Sequence, residues 1–169
     1  MDRIDIDAVL AQVRAALAEG NWERAVALIE ALRPADQADV FEELSPEAQD
    51  QLLPHLNLEA SADILEQLEE EDAAEVAERM RIADLARILD EMEPDEAADL
   101  LGDIPAERAA RALAAMAEAE EVRPLLAYAD ESAGGLMTPA EVLLHKNMTA
   151  EGAIAYLRAI APQSETVYY

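Results

Sequence analysis

The chain has 169 residues, with 38 acidic side chains, 12 basic ones and a formal charge of −26. Cysteine is absent and histidine occurs only as His55 and His145, which excludes disulfide scaffolds and cysteine nucleophiles and argues against a zinc hydrolase. A polyanion of this size repels nucleic acid and anionic lipid and attracts cations, while 52% apolar residues is too many for a disordered acidic tail.

The start, Met1-Asp2-Arg3-Ile4-Asp5, lacks the basic and apolar stretches of a signal peptide. No segment approaches the roughly 18 uncharged apolar residues of a membrane span. The first predicted element is a helix over residues 4–19, with Ile6, Val9, Leu10, Val13 and Leu17 on one face. Gly20 stops it, and Asn21 caps a second helix that turns Trp22, Val26 and Ile29 inward. Trp22, the one tryptophan, reads as a core residue.

From this point an apolar residue recurs every twelve positions: Leu32, Leu44, Leu56, Leu68, Met80, Met92, Ile104 and Met116. The same step joins Leu28, Val40, Leu52, Ile64, Val76, Ile88, Leu100 and Ala112, and a third column runs from Ile29 through Phe41 to Leu113. A small-residue column begins at Ala38, is broken by Asp50, and continues through Ala62, Ala74, Ala86, Ala98 and Ala110. Pro34, Pro46 and Pro94 fall two residues after the first column, where a helix tolerates proline because that N–H has no partner anyway. Each unit is predicted to be a helix of about eight to nine residues, roughly 13 Å long, followed by a tight turn. Helices this short are marginal alone and must be held by their neighbours, so the expected fold is mainly α, a right-handed superhelical solenoid with alanines at the close approaches. Val122, Leu125, Leu126 and Ala129 suggest one further helix after the array.

The style changes near residue 132. From Ser132 onward there are three acids and two bases, a net of −1, so the preceding 131 residues carry −25. The boundary is expected at Ser132-Ala133-Gly134-Gly135, dividing the chain into domains 1–131 and 132–169. Beyond it, Val142-Leu143-Leu144 reads as a strand and Thr149 as the cap of a helix to about residue 161, with Ile154, Leu157 and Ile160 or Ala161 inward. Thr166-Val167-Tyr168-Tyr169 reads as a second strand. Two strands and a helix cannot complete a sheet-based core, so this second domain is expected to be an incomplete α/β unit cut from a longer protein.

Ser132-Ala133-Gly134-Gly135-Leu136-Met137-Thr138-Pro139, then Asn147-Met148-Thr149-Ala150-Glu151 and Glu165-Thr166-Val167-Tyr168-Tyr169, resembles the start of the first CBS domain of MgtE-type magnesium transporters. The helical array resembles that family's amino-terminal domain. The resemblance implies a cytosolic, magnesium-responsive gate on the inner face of the membrane, acting on a pore and dimerising through CBS pairs. It also implies weak regulatory Mg2+ ligands at the contact of the helical and CBS domains, falling here on Asp63, Asp95 and Asp99. No enzymatic role is expected, since no phosphate-cradling glycine loop or nucleophile–histidine pairing is present.

The residues themselves are compatible with the ligand assignment. Asp95 and Asp99 are four apart and share a helix face, and Asp63 and Asp99 hold the same phase of the repeat. They are equally compatible with a carboxylate complementing a helix start and a solvated face. A helical interaction scaffold like the middle domain of flagellar motor switch proteins is the alternative that explains the repeat without an ion.

Overall fold

The computed structural model describes residues 6–128, 144 and 146–160. The chain divides into two compact units, Met1–Met137 and Thr138–Tyr169. The boundary expected at Ser132, the strand expected at 166–169 and His145 lie outside the described residues; of the strand expected at 142–144 only Leu144 is described, and it is in no strand and exposed.

In the first unit the helices are α1 (Ile6–Ala18), α2 (Trp22–Glu30), α3 (Pro34–Glu42), α4 (Pro46–Leu52), α5 (Leu58–Gln67), α6 (Glu70–Arg79), α7 (Ile82–Leu89), α8 (Pro94–Asp103), α9 (Ala106–Ala115) and the single turn α10 (Ala119–Val122). The starts of α2 to α9 fall every twelve residues, and these helices are 7 to 10 residues long. The apolar period therefore sets the helix period. At the junctions the first-column residue and the following N-cap are both extended. Leu56 and Asn57 have φ/ψ of −69°/155° and −69°/164°, and Leu68 and Glu69 repeat the pattern at −70°/155° and −61°/145°. At the α5–α6, α6–α7 and α8–α9 junctions one apolar residue, Leu68, Met80 or Ile104, ends the helix and the next residue opens its successor, whereas α2, α3 and α7 end on Ala31, Glu43 and Asp90.

The predicted stop at Gly20 and the predicted cap at Asn21 hold, and two further caps join them. Gly20 has φ +68°, the left-handed conformation that a side chain disfavours. The Asn21, Ser45 and Asn57 side chains accept from the backbone N–H three residues on. Pro34, Pro46 and Pro94 are the first residues of their helices.

Helices of odd number pack in one row, α1 on α3, α3 on α5, α5 on α7 and α7 on α9. Those of even number form a second row from α2 to α8. The packing repeat is therefore two sequence units. One continuous core lies between the rows, built from the predicted columns, with Val40, Phe41, Leu52, Ile64, Leu65, Leu85 and Leu89 essentially sealed. A fourth inward column joins it, comprising Val13, Ala25, Gln37, Gln49, Ser61, Ala73, Leu85 and Ala97. Its polar members are hard to recognise as core in the sequence. Gln49 is satisfied by donating to the Phe41 carbonyl at 3.0 Å and accepting from Arg79 at 2.7 Å. Ser61 donates to the Asn57 carbonyl at 2.9 Å. Asp50, the break in the alanine column, is turned outward and pairs with Arg79 at 2.8 Å.

Three expectations are corrected. Trp22 is half-buried and stacks on the exposed His55 ring, with centroids 5.1 Å apart, instead of filling the core. His55 itself lies in a 3-10 turn, Leu53–His55, that follows α4. The helix expected around Val122–Leu126 is interrupted at Pro124, which cannot donate inside a helix: α10 ends at Val122 and a 3-10 turn, Leu125–Ala127, follows. Val122 and Leu125 are buried there, but Leu126 is exposed.

In the second unit, α11 (Ala150–Ile160) begins where expected, with the Gly152 N–H donating to Thr149 Oγ1 at 3.1 Å. Ile154, expected to face inward, is 49% exposed, and Tyr156 is 39% exposed. One short helix has no second layer of its own against which to bury a face. Among the described residues, none is in a strand, and no helix is long and apolar enough to cross a membrane.

Candidate functional site

The acids are unevenly employed. Many occupy helix first turns, such as Glu23, Glu47, Glu59 and the run Glu70-Glu71-Asp72 of α6, where they complement the positive end of the helix. Three others reach across the array. Glu30 accepts from the Asn57 N–H and side-chain amide, each at 2.9 Å. Glu66 accepts from the Glu93 N–H at 2.8 Å. Asp90 accepts from the Ala117 and Glu118 N–H groups at 2.9 and 3.0 Å.

The middle brace brings carboxylates together. Asp63 and Glu66, one turn apart on α5, are both half-buried. Glu93 is the N-cap of α8, followed by Pro94, the half-buried Asp95, and Glu96 in the first turn. Asp99, also half-buried, lies one turn further along. Burial is the main force raising the Glu66 carboxyl above its ordinary value of 4.5; the Glu93 N–H opposes it, and the charges of Asp63, Glu96 and Glu93 add to it. The Glu96 carboxyl is exposed in area but flanked by protein on one side. It is raised first by that desolvation and then by Asp95, Asp99, Glu93 and Glu70.

Each of the three aspartates of the sequence reading acts electrostatically on one of these two glutamates, Asp95 and Asp99 on Glu96, and Asp63 on Glu66. Glu66 and Glu96 were not singled out in the sequence. The phase that Glu66 shares with Glu30 and Asp90 was the available signal. Among the described residues no three Asp, Glu or His side chains converge closely enough to hold a metal ion unaided. Hard, partly desolvated oxygens that repel one another still suit Mg2+, which keeps several waters and takes only one or two carboxylates from a protein. Asp63, Asp95 and Asp99 are the residues that would contribute them.

A separate pocket of about 180 Å³ is lined by Glu42, Asp72, Glu75 and Arg79 over Leu68 and Val76. Its arginine is already engaged by Asp50 and Gln49.

The fold defines an acidic helical-repeat domain built on a twelve-residue step. The chain belongs to the MgtE intracellular N domain family, whose model matches residues 11–131. Over 45 residues it is 47% identical to the magnesium transporter MgtE of Thermus thermophilus, a stretch covering 27% of this chain and 10% of that protein. The soluble part of a magnesium transporter, solved as a crystal structure, superposes with a TM-score of 0.81 at 27% identity, covering 97% of this chain and 66% of that one. The cytosolic domain of the Mg2+ channel MgtE in complex with ATP gives a TM-score of 0.82 at 30% identity, covering 94% of this chain and 66% of that one. The chain thus spans just under two-thirds of these solved relatives. Of the two readings open in the sequence, the family match favours the transporter domain over the motor-switch scaffold.

Proposed function

We propose that this chain is the Mg2+-sensing cytosolic region of a magnesium transporter or channel, acting on a membrane pore of the same protein. Residues 1–131 are the acidic sensor, coiled as a right-handed superhelix, and residues 132–169 are the start of a CBS domain. A CBS pair carries dimerisation. The observation that best supports an ion role is the coupling of carboxylates from α5, α6 and α8, in which burial and mutual repulsion raise Glu66 and Glu96. Such a face is strained when bare and relieved by a divalent cation.

Mg2+ bound at Asp63, Asp95 and Asp99, with remaining ligands from water and the CBS side, docks the two domains and favours a closed pore. When Mg2+ falls, the facing charges repel and the domains part. Only the difference in ion affinity between docked and separated states can bias the pore. One or two carboxylates per hydrated ion give weak sites, suited to an ion present at millimolar level.

The test is a Mg2+ titration of the complete cytosolic region, with compaction followed by small-angle scattering. Compaction at millimolar Mg2+ is expected. A variant with Asp95→Ala and Asp99→Ala that compacts at the same concentration would show that these residues are not the site.

A further inference from the structure

The brace between Glu66 and Glu93 ties together the two helices that carry the three aspartates. We infer that Glu66 is a positioning residue: it fixes the start of α8, and with it Asp95 and Asp99, against Asp63 on α5, and does not itself hold the ion. The inference rests on the ion-site reading above.

The geometry separates the two roles. Glu66 Oε1 is occupied by the Glu93 N–H at 2.8 Å. Glu93 is the N-cap residue of α8, so its N–H lies outside the helical ladder and needs an acceptor from elsewhere. Pro94, next in the chain, has no N–H to offer as a second anchor. Asp95 follows immediately in the first turn, the part of a helix most prone to fraying.

The same kind of bond recurs elsewhere in the array. Glu30 holds the N-cap Asn57 of α5, and Asp90 holds the Ala117 and Glu118 N–H groups ahead of α10. Positions 30, 66 and 90 share one phase of the twelve-residue repeat, and each brace reaches 27 residues along the chain. The device therefore belongs to the fold. At Glu66 it falls beside the candidate ligands, where it sets their spacing.

Three variants discriminate positioning from ligation. Glu66→Gln keeps a carbonyl oxygen where Oε1 lies but removes the charge. Glu66→Met removes the acceptor. Asp90→Leu removes the equivalent brace ahead of α10, which carries none of the three aspartates. Amide hydrogen exchange in metal-free protein reads the brace, and Mn2+ titration followed by NMR line broadening reads the ion site.

Glu66→Met should speed exchange at the Glu93 amide about tenfold and weaken Mn2+ binding near Asp95 and Asp99 about five- to tenfold, with the helical circular dichroism retained. Glu66→Gln should stay within about threefold of wild type in both readings, because a neutral acceptor retains most of the bond. Asp90→Leu should speed exchange at Ala117 and Glu118 and leave Mn2+ binding unchanged. If Glu66→Gln weakens binding as much as Glu66→Met, the charge is what counts and Glu66 is a ligand. If Glu66→Met leaves either the Glu93 exchange or the affinity unchanged, positioning is refuted while the ion site stands. Wild-type protein that shows no broadening around Asp95 and Asp99 removes the ion site itself, and the positioning role with it.

Discussion

Neutralising Asp95 and Asp99 together, as Asp95→Asn with Asp99→Asn, tests whether the acidic face is strained when bare. Side chains four apart on a helix are about 5–6 Å from each other. Two unit charges at that distance repel by about 3 kcal/mol at an effective dielectric of 20 and by under about 1 kcal/mol in water. Both aspartates are half-buried, which places the repulsion between these limits, near 1–2 kcal/mol. Removing the Asp95 charge also forfeits its interaction with the α8 dipole, about 0.3–1 kcal/mol. The net gain for the ion-free protein is then about 1 kcal/mol, or a Tm roughly 3 °C higher for a chain of this size. For wild type, 10 mM Mg2+ acting on a site with a Kd near 1 mM adds about 1.4 kcal/mol, a rise of about 4 °C. Thermal melts followed by circular dichroism, with NaCl matching the ionic strength, separate ion binding from general screening. The variant should melt higher than wild type without Mg2+ and show no Mg2+-specific rise. A variant that melts well below wild type would mean that the two carboxylates are net stabilising in the bare fold. A Mg2+ rise that survives in the variant would place the ion elsewhere.

Other substitutions and conditions test the surrounding structure. Glu66 and Glu96 are raised in the fold, so the folded state binds more protons than the unfolded one between the ordinary value of 4.5 and their shifted values. Their contribution to stability is therefore greatest at and below 4.5 and is lost as pH rises through the shifted values; in melts without divalent ion, their share should raise Tm as pH falls from 7 towards 5. Mg2+ binding should weaken over the same window and release protons measurable by calorimetry in two buffers of different ionisation enthalpy. Arg108 is half-buried and donates to the Ala77 carbonyl at 2.6 and 2.9 Å and to the Met80 carbonyl, closing the end of α6. Arg108→Met should cost about 2–3 kcal/mol in urea denaturation, because charged donors to two carbonyls are lost. Ala86 is 1% exposed in the small-residue column, and Ala86→Leu should cost about 1–3 kcal/mol by overpacking. Gly20→Ala should cost about 1 kcal/mol from backbone conformation alone, since a Cβ there would meet nothing within 4 Å.

The repeat was legible because short helices in a stack have little freedom. Burial needs an apolar residue at fixed phases, proline is admitted only at helix starts, and caps must lie where the next helix opens. Those demands are local, so the twelve-residue step of α2 to α9 and the cap at Asn21 could be read from the chain. Trp22 could not, because its environment is the His55 ring, 33 positions away and on a different element. The buried Gln49 was missed for a related reason: its partner Arg79 lies 30 positions away.

The charge of −26 divides along the same line. The sequence determined that the acids recur with the helices, that Asp95 and Asp99 share a face, and, through the resemblance, which family the array belongs to. Only the tertiary structure decided which acids meet. Odd and even helices separate into two rows, so a carboxylate on one helix faces a backbone N–H 27 residues later. That three-dimensional neighbourhood turns Glu30, Glu66 and Asp90 into braces and brings the charges of Asp63, Glu96 and Glu93 to bear on Glu66. Phase within a repeat is a property of the chain, whereas electrostatic coupling depends on distance and burial, which exist only once the rows have packed.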